Sequence, residues 1–147
     1  MGAPGVPSVA FRATVERVVD GDTFIARRDR RSLRVRLIGI NAPESVKPGS
    51  PVECFGPESS QVLHGLLPVR APVRAAYEAG GRRDQYGREL WDVWLGDGRF
   101  LQALLVQQGA ARPRLYRPQH AYADLLAELG DRARSHGLGL YAKCDGH

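Results

Sequence analysis

Side chains that could bind a phosphate beside a metal ion stand close together near one predicted turn. Arg36 lies on an alternating, strand-like stretch, and Asn41 and Glu44 follow that stretch at a turn containing Pro43. A guanidinium matches phosphate oxygens, an amide oxygen can ligate a hard metal ion, and a carboxylate can orient or deprotonate a water. Taken alone, this stretch is better explained as an ordinary strand with an exposed arginine and a proline turn.

Two more charged residues stand at turns elsewhere in the chain. Asp22 follows an Asp-Gly pair typical of a hairpin turn, and Arg88 follows a Tyr-Gly pair at the start of a later strand. Oxygen ligands without cysteine or histidine favour Ca²⁺ or Mg²⁺ over zinc. Two arginines beside such a metal would neutralise the charge that develops on phosphate oxygens in a transition state. The combined set predicts phosphoryl-transfer chemistry, although each residue alone has a structural explanation.

The elements that would hold these residues follow from hydrophobic periodicity. Five strand-like stretches are predicted, and a helix that begins near Pro57 follows the third of them. A short helix stops at Gly109, and a longer one with apolar residues at helical spacing stops near Gly137. The strand-like stretches are 11–19, 23–27, 33–40, 69–77 and 91–95.

This order of elements predicts an α+β fold, a five-stranded OB-fold β-barrel with three α-helices. In such a barrel the turn after the first strand, the end of the third strand and the start of the fifth can converge at one rim. That rim would bring together the oxygen ligands, the carboxylate and the two guanidiniums. The residues concerned are Asp22, Arg36, Asn41, Glu44 and Arg88.

The composition is that of a soluble globular protein. The 147 residues are 43% hydrophobic and 25% charged, which suits one domain with a hydrophobic core. We expect a flexible N-terminal tail at 1–10, a single domain at 11–147, and a monomer. No apolar run approaches the length of a membrane span, so no membrane association is expected. The N-terminal residues lack the features of an intact signal peptide, so the signal of a secreted protein would have been removed or would lie outside this chain.

The charge is basic and carried almost entirely by arginine. Lys+Arg is 21 against 16 Asp+Glu, and all but two of the cations are Arg. Arginine makes forked hydrogen bonds that match phosphate, so a basic, Arg-rich domain is a nucleic-acid-binding candidate, although many basic proteins bind none. The run of Arg27, Arg28, Arg30 and Arg31 falls at the second predicted turn, where we expect a solvated loop.

The two cysteines and four histidines do not form a metal-binding pattern. Cys54 and Cys144 are far apart in sequence, there is no CxxC pair, and no histidine has ligand spacing with them. A zinc site is therefore not expected. The two cysteines are either unpaired thiols or one disulfide.

Five segments, in order, resemble the staphylococcal (thermo)nuclease-like proteins. They are D-G-D-T at 20–23, R-L-I-G-I-N-A-P-E at 36–44, F-G-P-E at 55–58, D-Q-Y-G-R at 84–88 and L-V-x-x-G-A at 105–110. Their order and spacing agree from about residue 11 to residue 140. The resemblance implies an OB-type barrel with three helices. It also implies hydrolysis of the 5′ P–O bond of DNA or RNA, leaving 3′-phosphate ends.

The resemblance implies one Ca²⁺ ion and assigns its ligands. Asp22 and Asn41 correspond to the side-chain ligands, and the backbone carbonyl of Ala42 corresponds to a third. The family usually has Asp where this chain has Asn41. An amide offers an oxygen without a charge, so we expect weaker metal binding or a changed metal preference.

The resemblance also assigns the residues that contact the reacting phosphate. Glu44 corresponds to the general base that acts on the attacking water, and Arg36 and Arg88 correspond to the pair that binds and stabilises the phosphate. Tyr86 and Tyr116 correspond to tyrosines that contact substrate in the nucleotide pocket.

Two further positions in that pocket depart from the family's prototype. Gln85 replaces a Lys, which removes a cation that could hold a terminal phosphate. Arg114 stands in place of a second pocket tyrosine. An arginine can also stack on a base, so we expect this change to affect base preference more than affinity.

Secreted relatives often carry a cysteine at each of the places occupied by Cys54 and Cys144. The resemblance therefore implies a disulfide that ties the C-terminal tail to the loop beside the site. A disulfide indicates an oxidising compartment, so a secreted or periplasmic location is expected, with a cytoplasmic one as the alternative.

Three hypotheses follow. The first is a Ca²⁺-dependent, sugar-nonspecific nuclease that acts on single-stranded or locally melted DNA and RNA. The second is a catalytically weak OB-fold nucleic-acid-binding module, which Asn41 makes conceivable. The third is a basic OB-type domain that binds protein partners. The first is favoured because a binding module has no physical need for Asp22, Arg36, Glu44 and Arg88 together.

Overall fold

The structure is a computed structural model that describes residues 4–45, 51–79, 81–114 and 120–144. Its strands are β1 (Phe11–Asp20), β2 (Thr23–Arg28), β3 (Arg31–Leu37), β4 (Ile40–Asn41), β5 (Pro72–Ala76), β6 (Glu89–Leu95) and β7 (Arg112–Pro113). Its helices are α1 (Gly56–Leu66), α2 (Leu101–Gln107), α3 (Ala123–Ser135) and α4 (Leu140–Lys143).

Five strands close into a barrel in the order β1-β2-β3-β6-β5. The ring closes because the long strand β1 pairs antiparallel with β2 along one edge and with β5 along the other. Register shifts between Val15 and Arg17 and between Val18 and Asp20 bend β1, as bulges do in small barrels. Strands β3 and β6 complete the ring as a parallel pair. The predicted α+β fold with a five-stranded OB-type barrel is confirmed.

The barrel is filled by apolar side chains that alternate along its strands, with helices packed around it. Trp91, Trp94, Phe24 and Phe100 are almost completely buried. The polar side chain of Gln102, in α2, is also buried, and both its oxygen and its nitrogen form hydrogen bonds. Its Oε1 accepts from the backbone N of Val93 at 3.2 Å, and its Nε2 donates to the carbonyls of Trp91 (3.0 Å) and Ile38 (3.2 Å). Helix α2 is thereby bound to the turn that leads from β3 towards the predicted site.

The third strand is shorter than its sequence pattern predicts. Strand β3 ends at Leu37 because Gly39 adopts φ 85°, a left-handed conformation that turns the chain out of the barrel. Ile40 and Asn41 then pair with Arg112 and Pro113 in a separate two-stranded sheet. The chain around Asn41 is therefore held beside the barrel instead of continuing its ladder.

One other strand boundary and the number of helices also differ from the prediction. The fourth barrel strand begins at Pro72 and not at residue 69, because Arg70 has φ 72° and the chain turns there. A fourth helix, α4, adds one turn after the three predicted helices. The predicted stops of α2 and α3 hold, with Gly109 at φ 69° and Gly137 at φ 60°.

The described residues before β1 contact the barrel through backbone carbonyls. Arg74 of β5 donates from Nη2 to the carbonyl of Ala10 at 3.3 Å. Trp94 donates from Nε1 to the carbonyl of Pro4 at 3.1 Å. The flexibility expected for 1–10 stays a prediction. Within the four described segments, no helix combines the length and the apolar character that crossing a membrane requires.

Candidate active site

One cleft of about 280 Å³ at the barrel rim collects most of the predicted site residues. Six predicted residues line it: Asp22, Arg36, Asn41, Glu44, Arg88 and Arg114. Four residues that were not assigned to the site also line it: Val19, Asp20, Thr23 and Arg34. The turn after β1, the end of β3 and the start of β6 thus meet at one rim.

The pairing of the strands explains this convergence. Arg36 lies beside Leu90 in the parallel β3–β6 pair, which places it next to the residues that open β6. On the other side, Gly21 lets the β1–β2 turn approach the segment after β4. A Cβ on Gly21 would lie 2.7 Å from the Cβ of Ala42 and 2.8 Å from that of Ser59. The hairpin can therefore contact this segment only with glycine at the turn.

Arg36 joins two of the predicted metal ligands. Its Nη2 lies 3.3 Å from Oδ2 of Asp22 and donates to Oδ1 of Asn41 at 3.1 Å, while its Nη1 donates to the carbonyl of Leu37 at 2.7 Å. Only 7% of the Arg36 side chain and 10% of the Asp22 side chain are exposed. Oδ2 of Asp22 also accepts from the backbone N of Ala42 at 2.8 Å. A carboxylate oxygen and an amide oxygen are therefore held as neighbours around one guanidinium nitrogen.

This donor set fits a hard cation such as Ca²⁺ or Mg²⁺, because it consists of oxygens from a carboxylate and an amide. Asp22 and Asn41 could supply the side-chain ligands, and the chain at Ala42 lies against Asp22. Within the described segments, no group of three or more His, Cys, Asp or Glu side chains could hold a metal ion. The set therefore carries little negative charge for a calcium site, as expected from an amide at position 41.

Asp20 is a residue of the cleft that the sequence reasoning missed. Its Oδ1 accepts from the backbone N of Ser45 at 2.8 Å and also from the Ser45 hydroxyl, and the residue is buried. Asp20 thereby fixes the backbone directly after Glu44. The available signal was the first acidic residue of the D-G-D segment, which the turn pattern alone explains as a hairpin residue.

The backbone of Glu44 is fixed from two further directions. Its N donates to Oε1 of Glu53 at 2.8 Å, and its carbonyl accepts from the backbone N of Glu53 at 3.0 Å. Gly56, the first residue of α1, lies so close that a Cβ there would be 2.3 Å from the Glu44 carbonyl oxygen. The Glu44 carboxylate therefore enters the cleft from a backbone with little freedom to move.

A disulfide anchors this loop to the C-terminal helix. Cys54, next to Glu53, is bonded to Cys144 at the end of α4. The predicted bond between the two cysteines is confirmed. It links the end of α4 to the neighbour of Glu53, the residue that holds the Glu44 backbone.

Arg88 is oriented by a carboxylate that sequence reasoning did not assign. Asp84 accepts from Nε of Arg88 at 2.7 Å through Oδ2 and from the Arg88 backbone N at 2.9 Å through Oδ1. Burial raises the pKa of Asp84, but the hydrogen bonds from Arg88 and from the Tyr86 backbone outweigh burial and leave the pKa below its usual value. Asp84 is therefore ionised at neutral pH. Because the contact uses Nε, the terminal nitrogens of Arg88 can still donate to an anion in the cleft.

The predicted substrate-binding residues are distributed around the cleft. Arg114 lines it, and its backbone N donates to the carbonyl of Gly39 at 2.8 Å. Gln85 and Tyr86 are exposed on the turn before Arg88 and are not among the residues that line the cleft. Tyr86 is 75% exposed, and the Arg88 guanidinium lies 5.6 Å from its ring centroid. Tyr116 lies outside the described residues.

The chain is similar to known proteins over most of its length. Residues 34–143 match the family described as Staphylococcal nuclease homologue. A thermonuclease of Staphylococcus intermedius is 38% identical over 129 residues, which cover 88% of this chain and 75% of that protein. A thermonuclease of Staphylococcus hyicus is 38% identical over 120 residues, 82% of this chain and 69% of that protein. Endonuclease YncB of Bacillus subtilis (strain 168) is 31% identical over 131 residues, 88% of this chain and 61% of that protein. The fold, the five ordered segments and these matches together show that the chain belongs to the staphylococcal nuclease homologue family.

Proposed function

We propose that this protein is a metal-dependent, sugar-nonspecific nuclease that hydrolyses phosphodiester bonds of DNA and RNA to 3′-phosphate products. The observation that carries the proposal is one cleft lined by a carboxylate, two guanidiniums and two candidate oxygen ligands. The names of the similar proteins, thermonuclease and endonuclease, support the same reaction class.

The metal would be a single Ca²⁺ held by the side chains of Asp22 and Asn41 and by the backbone carbonyl of Ala42. Such an ion, when bound, supplies positive charge that polarises a phosphodiester oxygen. Arg36 keeps the Asp22 and Asn41 oxygens close together, so a cation at these ligands would lie beside a guanidinium. A phosphate binding there would be attracted by both the ion and the guanidinium.

Arg36 and Arg88 would bind the scissile phosphate. Arg36 is nearly buried, so its charge is poorly screened by water and acts strongly on a phosphate in the cleft. Arg88 is held by Asp84 in a fixed direction. Preorganised donors of this kind stabilise the charge that builds up on the phosphate oxygens without having to reorient during the reaction.

Glu44 would act as the general base. Its carboxylate would accept a proton from a water that attacks phosphorus. The bond from phosphorus to the 5′ oxygen would break, the 5′ oxygen would take a proton from solvent, and the phosphate would remain on the 3′ oxygen. The three hydrogen bonds that hold the backbone of Glu44 and Ser45 support this role, because general-base catalysis depends on placing the carboxylate within hydrogen-bond reach of the water.

Single-stranded or locally melted DNA and RNA would be the substrates. Tyr86, Tyr116, Gln85 and Arg114 would contact the nucleotides next to the scissile bond. The protein would act as a monomer with one catalytic domain at 11–147. The Cys54–Cys144 disulfide supports a secreted or periplasmic location.

A digestion assay on single-stranded DNA tests the proposal. Cleavage should require Ca²⁺, stop in EDTA, and fall by roughly 10²–10⁴-fold in Glu44→Gln, which keeps the shape of the side chain but removes the base. The matched control is Glu128→Gln on the exposed face of α3, which should cleave like wild type. Equal cleavage in EDTA would remove the metal from the mechanism. Salt-sensitive binding without cleavage under any metal would favour a catalytically weak binding module.

A further inference from the structure

A second group of arginines lies at the far end of β2 from the active-site cleft. Two adjoining clefts of about 600 and 580 Å³ share Arg28 and Asp29 and are lined by eight arginines in total. We call these residues the arginine face: Arg12, Arg27, Arg28, Arg30, Arg31, Arg74, Arg82 and Arg83. They include the whole arginine run that the sequence places at the second turn.

The arginine face carries the positive excess of the entire chain. Its eight arginines are opposed within the two clefts by Asp29 and Glu89, a net charge of +6, whereas the whole chain carries +5 from 21 basic and 16 acidic residues. The other 13 basic and 14 acidic residues therefore almost cancel. Even when Glu16, which pairs with Arg27 at 3.4 Å, is counted with the face, the balance there is +5.

The active-site cleft, by comparison, is nearly neutral. Four arginines and three carboxylates line it, a net charge of +1. A polyanion approaching this protein is therefore attracted mainly to the arginine face and much less to the cleft where we place the reaction.

The turn between β2 and β3 has a backbone conformation that its residues do not favour. Asp29 has φ 51° and Arg30 has φ 67°, while Arg28 and Arg31 pair on either side of them. Two-residue hairpin turns with two positive φ angles favour Asn-Gly or Asp-Gly, and arginine in the second place is strained. Turn chemistry therefore does not account for Arg30, whose side chain lines the larger cleft.

Some arginines of the face are held rigidly. The Arg28 guanidinium lies 3.5 Å from the Phe11 ring centroid, and its Nη1 donates to the Tyr77 hydroxyl at 3.2 Å. Arg83 donates from Nε to Oε2 of Glu89 at 3.1 Å. Fixed guanidiniums lose little conformational entropy when they bind an anion.

Other arginines of the face remain available to a ligand. The side chains of Arg12, Arg30 and Arg31 are exposed and form no ion pair with the residues that the structure describes. The face thus combines fixed donors with exposed cations that have no acidic partner there.

We propose that the arginine face is a second binding site, separate from the active-site cleft, for the sugar-phosphate backbone of a nucleic acid. Forked guanidiniums match phosphate oxygens, and a concave, two-lobed surface suits a strand better than it suits a flat membrane. The nearby rings of Phe11 and Tyr77 are covered by Arg28 and Arg82, so they cannot stack on bases. The arginine face therefore binds the sugar-phosphate backbone of the nucleic acid without recognising its base sequence.

The identity of the ligand rests on the proposed function, because the polymer substrate of a nuclease is the polyanion that this protein would meet. A strand held at the arginine face is kept close to the active-site cleft. Long substrates should consequently bind more tightly than fragments that fill the cleft alone.

The test uses a face variant and a charge-matched control. The face variant is Arg12→Gln/Arg30→Gly/Arg31→Gln, in which glycine relieves the strained turn and helps to preserve the fold. The control variant is Arg99→Gln/Arg132→Gln/Arg134→Gln, which removes the same charge from positions outside both the face and the active-site cleft. Thermal melting should show both variants folded.

Binding is measured by fluorescence anisotropy with a single strand of about 30 nucleotides in EDTA, over a salt series, since strands of this length exceed one OB-fold site. The face variant should bind roughly tenfold more weakly, and its slope of log K against log salt should be shallower by about 2, for three lost phosphate contacts. The control should stay within about twofold of wild type. With a substrate of about four nucleotides and Ca²⁺, kcat/KM should be the same in all three proteins, because such a fragment needs only the cleft.

Each contrary result has a distinct meaning. Equal losses in the face and control variants would show that net charge alone attracts DNA, and an unchanged affinity and salt slope would show that the face does not contact it. Both overturn the proposal. Loss of binding to phosphatidylglycerol vesicles with unchanged DNA affinity would assign the face to a membrane and also overturn it. If wild type does not cleave the short substrate, that result contradicts only the proposed nuclease function. The anisotropy experiment measures binding at the arginine face in EDTA and does not depend on cleavage.

Discussion

Asp22 and Arg36 form an almost completely buried ion pair, with 3.3 Å between Oδ2 and Nη2, in the lining of the candidate active-site cleft. The same guanidinium also bonds Asn41 and the carbonyl of Leu37. A residue proposed to bind phosphate is therefore part of the framework that keeps the proposed metal ligands together. The stability of the fold and the proposed binding of phosphate would therefore depend on the same side chain.

Arg36→Ala should therefore reduce both stability and activity. Removing one partner of a buried pair leaves an uncompensated charge and typically costs about 3–5 kcal/mol, so the urea midpoint should fall clearly. Arg88→Ala is the comparison, because its side chain is 28% exposed and its partner Asp84 can be solvated. It should abolish cleavage while changing the free energy of unfolding by about 1 kcal/mol or less. Equal destabilisation by the two changes would contradict the structural role of Arg36.

Asn41→Asp should strengthen metal binding. A second carboxylate beside Asp22 adds negative charge to a site whose ligands are otherwise mostly neutral, and calcium affinity rises with ligand charge. Isothermal titration with Ca²⁺ should give a Kd lower by about tenfold, and cleavage should reach half-maximal rate at a lower Ca²⁺ concentration. Asn41→Ala, which removes the oxygen, should shift both quantities the other way. An unchanged Kd in both variants would remove Asn41 from the ligand set.

Loss of the Cys54–Cys144 bond should lower stability and, through Glu53, activity. Replacing both cysteines by serine should reduce the free energy of unfolding by about 2–4 kcal/mol, as is typical for a bond that closes a long loop. The released loop should also hold the Glu44 backbone less firmly. We therefore expect a clear decrease in kcat and little change in KM. Glu53→Ala, which removes the oxygen that accepts from the Glu44 backbone N, tests the second effect without the first. Full kcat in the double serine variant would show that the loop holds Glu44 without its covalent anchor.

Asp92 should make the protein less stable as pH rises. Burial, followed by the neighbouring Glu78 carboxylate, raises the pKa of Asp92 to about 10, against 3.8 for an ordinary aspartate. Between these pH values the folded protein binds one proton more than the unfolded chain, so the free energy of unfolding decreases with pH by at most about 1.4 kcal/mol per unit.

Asp92→Asn should flatten that dependence, because an amide can donate to Glu78 at any pH. Chemical denaturation at pH 5, 7 and 9 measures the slope, and the variant should be the more stable protein at pH 9. Asp97→Asn, at an exposed turn, is the control and should follow the wild-type slope. A wild-type slope in Asp92→Asn would show that Asp92 already ionises in the folded state.

The barrel was predictable because alternating side chains determine which strand faces are buried, and the positions of Asp22, Arg36 and Arg88 follow from strand order. The break at Gly39 was not predictable, because Ile38 and Ile40 are β-branched residues typical of a strand, yet the backbone leaves the ladder between them. Helix α4 was missed because one turn is too short for a periodic signal. It is held instead by the bond from the Leu140 N to the Gly109 carbonyl.

The roles of Asp20 and Glu53 depend on contacts that local sequence does not encode. Asp20 bonds Ser45, which lies 25 residues later, and Glu53 bonds Glu44 across the intervening loop. Such residues resemble ordinary surface acids in the sequence. The two cysteines were easier to interpret, since a single pair permits only one intramolecular bond.

The shape of the cleft depends on Gly56, although this residue contributes no side chain to it. The space between α1 and the Glu44 carbonyl does not admit even a methyl group. A library of substitutions selected for cleavage would thus retain position 56 as strictly as a catalytic position, and a search for important residues by chemical type alone would overlook it. Tolerance to mutation in this protein is governed by space around the loop as much as by chemistry within the cleft.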